Sequence, residues 1–213
     1  MSKLSKLMVG IVLLGAIETG IAAEIPARPN LINETVAGFD LAQVAATADF
    51  AHYKFVWVQT PEVTLEPDWV REHAHDMTPE DQQKMAATYG EALQKILIKQ
   101  LTTNANYALG ASLDAQTLVI KPQLMDLVVT APELSAAGRT DVYVRQVGRA
   151  RLTLDLVDGV SGAVIAHLEV AGETRDRAGE ELVKADRARN RLDFRQLMRH
   201  WARDLQAFMQ QKH

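Results

Sequence analysis

Two groups of side chains in this sequence have the types and spacing to do chemistry. His73 and His75 stand two apart, with Glu72 and Asp76 beside them. On an extended segment both imidazoles point to one side and can share a metal ion. A structural metal site normally takes four ligands, so this pair needs partners that the spacing does not name. The same residues also describe a solvated polar loop ahead of a helix. The second group is Arg191, Arg195, Arg199 and Arg203, spaced four apart near the C-terminus. On a helix, Arg195, Arg199 and Arg203 fall along one face. Guanidinium forks suit phosphate and carboxylate groups, so this row is a candidate anion-binding surface. Asp186, Asp193 and Asp204 are close enough in sequence to act as its local partners instead.

Other chemistries find no foothold. The chain has no cysteine, which excludes disulfides, thiol catalysis and cysteine-held zinc or iron–sulfur centres. Beyond the first residues its serines are Ser112, Ser135 and Ser161, none in a Gly-x-Ser-x-Gly elbow. There is no glycine-rich phosphate loop and no His-Glu-x-x-His. Glu62, Glu66, Asp68 and Glu72 would have to converge in a pocket to act as acid and base. The reading leans away from an enzyme, and no cofactor is expected. Nucleic acid is a poor partner too: the formal net charge is -4 and the arginine row lacks interleaved aromatic residues.

The compartment is written at the start. Lys3 and Lys6 precede an apolar run from Leu7 to Ile17, and Glu18-Thr-Gly-Ile-Ala-Ala23 supplies small residues for cleavage. That order is the mark of a secretory signal peptide. The run is short of the roughly 20 residues that span a bilayer, and no later stretch is expected to cross one. Residues 1–23 are therefore read as a signal peptide, residues 24–51 as a leader or linker, and residues 52–210 as one domain, periplasmic or secreted.

The elements that must position the candidate residues follow from periodicity. Leu152, Leu154 and Leu156 alternate with polar neighbours, as do Val164, Ala166, Leu168 and Val170. Between them Asp158-Gly-Val-Ser-Gly162 has turn chemistry, so the pattern predicts a long antiparallel hairpin. Tyr53–Gln59 reads as a strand, and so does Leu118–Thr130, with Pro122 marking a sheet edge or a bulge. In the leader, Leu41, Val44, Ala45 and Ala48 have the spacing of a short helix. Thr78-Pro-Glu-Asp81 opens a helix that should run from Pro79 to about Leu101. Gly172 to Arg191 reads as an exposed charged excursion, helical in part. Asp193, with Gln196 three residues on and Leu192 able to staple Leu197, predicts the start of a last helix. Its apolar face is Phe194, Leu197, Met198, Trp201, Leu205 and Phe208. The expected fold is α+β: a two-layer sandwich with a mainly antiparallel sheet and two long helices on one face. Charge is divided along it. Residues 24–138 hold 7 Lys and Arg against 15 Asp and Glu, net -8, and residues 139–213 hold 14 against 11, net +3.

Several stretches together resemble a known family: Phe55-Val-Trp57, Pro67-Asp-Trp69, Thr78-Pro-Glu-Asp81 with Tyr89-Gly-Glu-Ala-Leu93, Val142-Tyr-Val-Arg145 with Gly148-Arg-Ala-Arg-Leu152, Asp158 to Gly162, and Asp193-Phe194 with Trp201. The pattern, covering about residues 50–208, looks like the bacterial envelope family known as domain of unknown function 3313. Members are commonly lipoproteins of Gram-negative bacteria. This chain lacks the lipid-accepting cysteine, so the lipid anchor does not carry over. The family has no established catalytic residues, and the resemblance implies an envelope setting with a non-enzymatic role.

The functional expectation is a binding or accessory module of the cell envelope. Its partner would be an envelope protein or an anionic envelope component such as a lipid A phosphate or a glycan. It would be met by the sheet edge near Pro122 or by the basic face of Arg195, Arg199 and Arg203. The alternatives are a periplasmic hydrolase or metal-dependent enzyme using His73 and His75, and a small-ligand carrier with a cavity between sheet and helices.

Overall fold

A computed structural model describes residues 31–129, 143–144, 148–174, 183–184 and 187–212. In chain order the elements are β1 (Leu31–Asn33), β2 (Leu41–Ala45), β3 (Phe55–Val58), β4 (Glu62–Leu65), α1 (Pro67–Glu72), α2 (Pro79–Asn104), β5 (Ala108–Leu109), β6 (Thr117–Val128), β7 (Tyr143–Val144), β8 (Arg149–Asp158), β9 (Val164–Glu173), β10 (Val183–Lys184) and α3 (Arg187–Gln211). The class is α+β. Eight strands make one sheet in the order β1-β2-β9-β8-β6-β3-β5, with β4 also paired to β6, and β7 and β10 form a separate ribbon. Most pairs are antiparallel. β3 and β4 run parallel to β6, and β3 parallel to β5. A parallel pair needs a crossover, and α2 lies within the one between β3 and β6.

The β8–β9 hairpin is the spine. Its register pairs Leu152 with Val170, Leu154 with Leu168 and Leu156 with Ala166. These side chains are buried and share one core with Leu93, Leu97 and Leu101 of α2 and with Phe194, Met198, Trp201 and Leu205 of α3. At the turn, Asp158 Oδ1 accepts from the Ser161 amide at 2.7 Å and the Ser161 hydroxyl at 2.7 Å, and Gly162 takes φ 68°. Ser161 is thereby explained by the turn alone. Gly159 is needed for a different reason: a Cβ there would lie 2.5 Å from the Thr117 carbonyl oxygen.

The start of α2 is as the sequence predicts. Thr78 and Asp81 form a reciprocal capping box, with Pro79 in the first turn. α2 and α3 then run side by side in the same direction. Near one end the Tyr89 and Phe194 rings meet edge-on at 5.0 Å, and further along Gln100 donates from α2 to Gln206 of α3 at 2.6 Å.

Four expectations need correction. The Leu41–Ala48 spacing does not make a helix. Residues 41–45 are β2, paired to β9, and Ala42 and Val44 are buried in the core. Leu41, Val44, Ala45 and Ala48 recur at helical spacing, but Ala42 and Val44 also alternate as a half-buried strand requires, and the waiting edge of β9 selects the strand. The stretch read as a leader thus contributes β1, β2 and Phe50, which is fully buried.

Pro122 is at neither an edge nor a bulge. β6 is an inner strand, with β8 on one side and β3 and β4 on the other. The Ile120 carbonyl accepts from Gln59 at 2.9 Å, so at this parity β6 turns its polar groups toward β3 and β4. Pro122 shares that parity. Its missing N–H faces the break between Val58, where β3 ends, and Glu62, where β4 starts, so no ladder bond is lost. The register of β6 against β8 does shift, but between Met125 and Val128, where Asp126 has φ 53°.

Asp193 does not open the last helix. α3 begins at Arg187, and Asp193 lies inside it. Leu192 is 48% exposed, so it does not act as a staple. The charged stretch from Gly172 to Arg191 is helical in part, as read from the sequence: Arg187 to Arg191 belong to α3, while Gly172 and Glu173 end β9.

Candidate functional site

α3 carries the arginine row on a helix whose opposite side is fixed in the core. Met198, Trp201, Ala202, Leu205 and Met209 are buried, which turns the remaining positions outward. Arg191, Arg195, Arg199 and Arg203 are all exposed. Arg195, Arg199 and Arg203 make no ion pair or hydrogen bond among the described residues, while Arg191 has a partner. Asp204, offered by the sequence as a local partner, is engaged elsewhere. Its Oδ2 lies 3.5 Å from His200 Nε2 and is otherwise buried without a hydrogen bond. The Asp204 carboxyl also sits against Gly38 in the turn between β1 and β2. There φ is 87° and a Cβ would come within 2.6 Å of Asp204 Cγ.

The row does not act as one line. Successive steps of four residues drift around the helix, so the four side chains do not share one direction. Arg199 and Arg203 line a depression of about 490 Å³ between α3 and the end of β9, together with Glu173, Thr174, Asp193, Gln196, Leu197 and His200. Leu197 is its apolar floor, packed close enough to Gly172 that a Cβ there would lie 2.8 Å from Leu197 Cδ1.

The histidine pair is arranged differently. His73 ends α1 as its C-cap. Its Nδ1 lies 2.8 Å from the Trp69 carbonyl oxygen, and its ring stacks on Trp69 with centroids 4.4 Å apart. Trp69 itself is buried in the core. His75 is exposed two residues on, in a turn rather than on an extended segment. Among the described residues no group of three or more His, Asp or Glu side chains is placed to hold a metal ion.

A third constellation escaped sequence reading. His167 on β9 stands directly across from Asp155 on β8. Its Nδ1 is 2.6 Å from Asp155 Oδ1 and its Nε2 is 2.9 Å from Glu169 Oε1. Carboxylates only accept, so both contacts are hydrogen bonds only when both ring nitrogens carry a proton. The Asp155 bond raises the imidazole's pKa from its ordinary value. Burial opposes that rise, and Glu169 adds to it. Because the two carboxylates approach opposite ring nitrogens, the three groups do not converge on one point as metal ligands would. The signal in the sequence was acidic residues at 155 and 169 on the same parity as His167, but only the register reveals that they meet.

A fourth grouping ties β3's approach to the hairpin. The Tyr53 hydroxyl donates to Asp158 Oδ2 at 2.9 Å. Burial and the neighbouring carboxylate push the Tyr53 phenol well above its usual range. Burial alone would raise the Asp158 carboxyl, but the bonds from Ser161, Tyr53 and Val160 outweigh it and hold it below the usual carboxylate value.

No protein-family model matches the chain, and no curated protein matches it. Among solved structures, the PelC dodecamer from Paraburkholderia phytofirmans is similar at 12% identity and a TM-score of 0.44, over 78% of this chain and 96% of that one. A point variant of the same protein gives 14% identity and 0.45, over 78% and 95%. A neuraminyllactose-binding hemagglutinin homologue from Helicobacter pylori gives 13% identity and 0.39, over 74% and 85%. Likeness at this level carries no functional argument.

Proposed function

We propose that this protein is a non-enzymatic binding or accessory module of the bacterial cell envelope. The observation that carries the reading is the free cationic surface of α3. Arg195, Arg199 and Arg203 are exposed and unpaired among the described residues, on a helix rigidly seated in the core. Unpaired guanidinium groups on a fixed element offer bidentate hydrogen bonding to carboxylate or phosphate without first breaking an internal pair. The setting rests on the N-terminal segment, whose charged start, short apolar run and small-residue end fit secretion to the periplasm. The family resemblance to domain of unknown function 3313 points the same way. In this reading the helices α2 and α3 form the second layer of a two-layer sandwich, covering one face of the sheet and presenting the arginine row outward.

The sheet edge near Pro122 drops out as a docking element, because β6 is an inner strand. The anionic partner is met by α3. In-cell cross-linking of the mature protein, with partners identified by mass spectrometry, tests this. Capture of one dominant envelope component, lost in the triple variant Arg195→Glu, Arg199→Glu, Arg203→Glu, is the expected result. Unchanged capture by that variant would remove the arginine face from the reading.

A further inference from the structure

We infer that the outer side of the α2–α3 pair is a docking face for an anionic lipid bilayer. This names the partner within the binding-module reading and rests on it. The two helices run side by side, and their contacts fix which flanks are inward. On α2, Gln94 donates to the Val58 carbonyl of β3 at 3.0 Å, and Gln100 donates to Gln206 of α3 at 2.6 Å. At about 100° per residue, Lys84, Lys95 and Lys99 fall on the arc between those flanks that points away from the buried Leu93, Leu97 and Leu101. On α3, Leu197 packs toward Gly172 of β9 and Gln206 reaches α2. The arc between those flanks, opposite the buried Met198 and Leu205, carries Leu192, Gln196, Arg199 and Arg203, with Arg195 exposed at the α2 flank.

That face is cationic. Lys84, Lys95, Lys99, Arg195, Arg199 and Arg203 are all exposed. Lys95 pairs with Glu91 at 3.2 Å, and the others make no ion pair among the described residues. The remaining acids of the two helices lie off the face. Asp81 is buried in the capping box, Glu80 is in the first turn of α2, Asp204 sits against Gly38, and Asp193 lines the depression beside β9. Lys84 and Lys99 are about 22 Å apart along α2, and Arg195 and Arg203 about 12 Å along α3, at 1.5 Å rise per residue. One phosphate or carboxylate does not reach charges spread so widely, so the partner is an extended anionic surface. Leu192 decides which kind. It is 48% exposed on the same arc as Arg199 and Arg203. The centre of a protein interface is depleted of charged residues, lysine among them. A bilayer takes both kinds of side chain together. The leucine enters the acyl boundary, and the lysine and arginine stems lie along it with their charged heads at the phosphates.

The test uses the purified full chain and two vesicle types, phosphatidylcholine alone and an equal mixture with phosphatidylglycerol. The ratio of the two partition coefficients, from cosedimentation, is the quantity compared, because entry by the apolar run Leu7–Ile17 contributes to both and cancels. A ratio well above one that falls with added salt is expected. Lys84→Gln with Lys99→Gln should lower it about twentyfold, at about fivefold or 1 kcal/mol per cation lost, and Arg199→Gln with Arg203→Gln should lower it as much. Lys54→Gln with Lys121→Gln removes the same net charge away from the helices and should leave the ratio unchanged. In Leu192→Trp, tryptophan emission should move to shorter wavelength on the anionic vesicles. A ratio near one, an equal fall in the Lys54 and Lys121 variant, no emission change, or binding of soluble polyaspartate in place of vesicles would overturn the inference. The partner capture described above is read in parallel. If capture is lost in the triple arginine variant while anionic vesicles fail to bind, only the bilayer inference falls. If the vesicles bind as expected and capture is unaffected by that variant, the bilayer face stands and the partner-capture reading falls.

Discussion

His167 shows how one residue can make the sheet respond to pH. Both of its carboxylate contacts are hydrogen bonds at once only for the imidazolium, and its folded pKa is raised above the unfolded value near 6.5. A raised folded pKa means the stabilisation is fully present below about pH 6.5 and is lost as pH rises through the folded value. Chemical denaturation of the protein and of His167→Gln across pH 5 to 9 checks this. The variant should be less stable by about 1.5–3 kcal/mol on the acid side, the range for hydrogen bonds to charged groups. The gap should narrow toward alkaline pH, and a constant gap would show that the charge plays no part. At the hairpin turn, Tyr53→Phe removes one of the four hydrogen bonds that Asp158 accepts and should cost about 0.5–1.5 kcal/mol in the same measurement.

At the scale of elements, the two helix starts make opposite predictions. Thr78 caps α2, so Thr78→Ala should lower stability by about 1 kcal/mol. Asp193 is inside α3, so Asp193→Ala should stay within about 0.5 kcal/mol of the parent. Thermal unfolding of both variants separates a cap from a surface position. The same comparison shows what was legible in each. Thr78-Pro-Glu-Asp81 contains a cap, a first-turn proline and a reciprocal carboxylate, each acting locally. Asp193 and Gln196 match the cap pattern equally well, but helical backbone already precedes them from Arg187. Whether a cap pattern functions depends on the residues upstream. The strand at β2 was misread for a related reason: its apolar spacing suits two periods, and the pairing partner that chooses between them is far away in sequence.

At the scale of the whole fold, the first and last described elements close on each other. The Phe50 amide donates to the Lys212 carbonyl at 3.1 Å, Phe50 and Phe208 rings meet at 5.6 Å, and Lys212 pairs with Glu34 at 2.8 Å. β2 meanwhile covers the edge of β9 that would otherwise be open. A chain beginning at residue 52 should therefore lose cooperative unfolding, whereas a leader serving only as a tether would leave it intact. Calorimetry of the truncated and full-length chains decides this. The charge division along the chain also acquires a place at this scale: the C-terminal excess of positive charge is displayed on α3, where Arg199 and Arg203 line the depression beside the end of β9.

What the sequence determined by itself was whatever local physics settles. The β8–β9 hairpin, the α2 start and the apolar face of α3 depend on period, turn residues and caps within a few positions of one another, and they are found where those rules put them. The arginine row was visible because a helix places every fourth residue near the last. Tertiary structure alone decided which arginines share a groove with Glu173, which acids reach His167, and why Pro122 is tolerated in an inner strand. Each of these depends on the register between strands or on the seat of a helix against them. Contacts between residues tens of positions apart are set by how the core closes, and no local pattern encodes them.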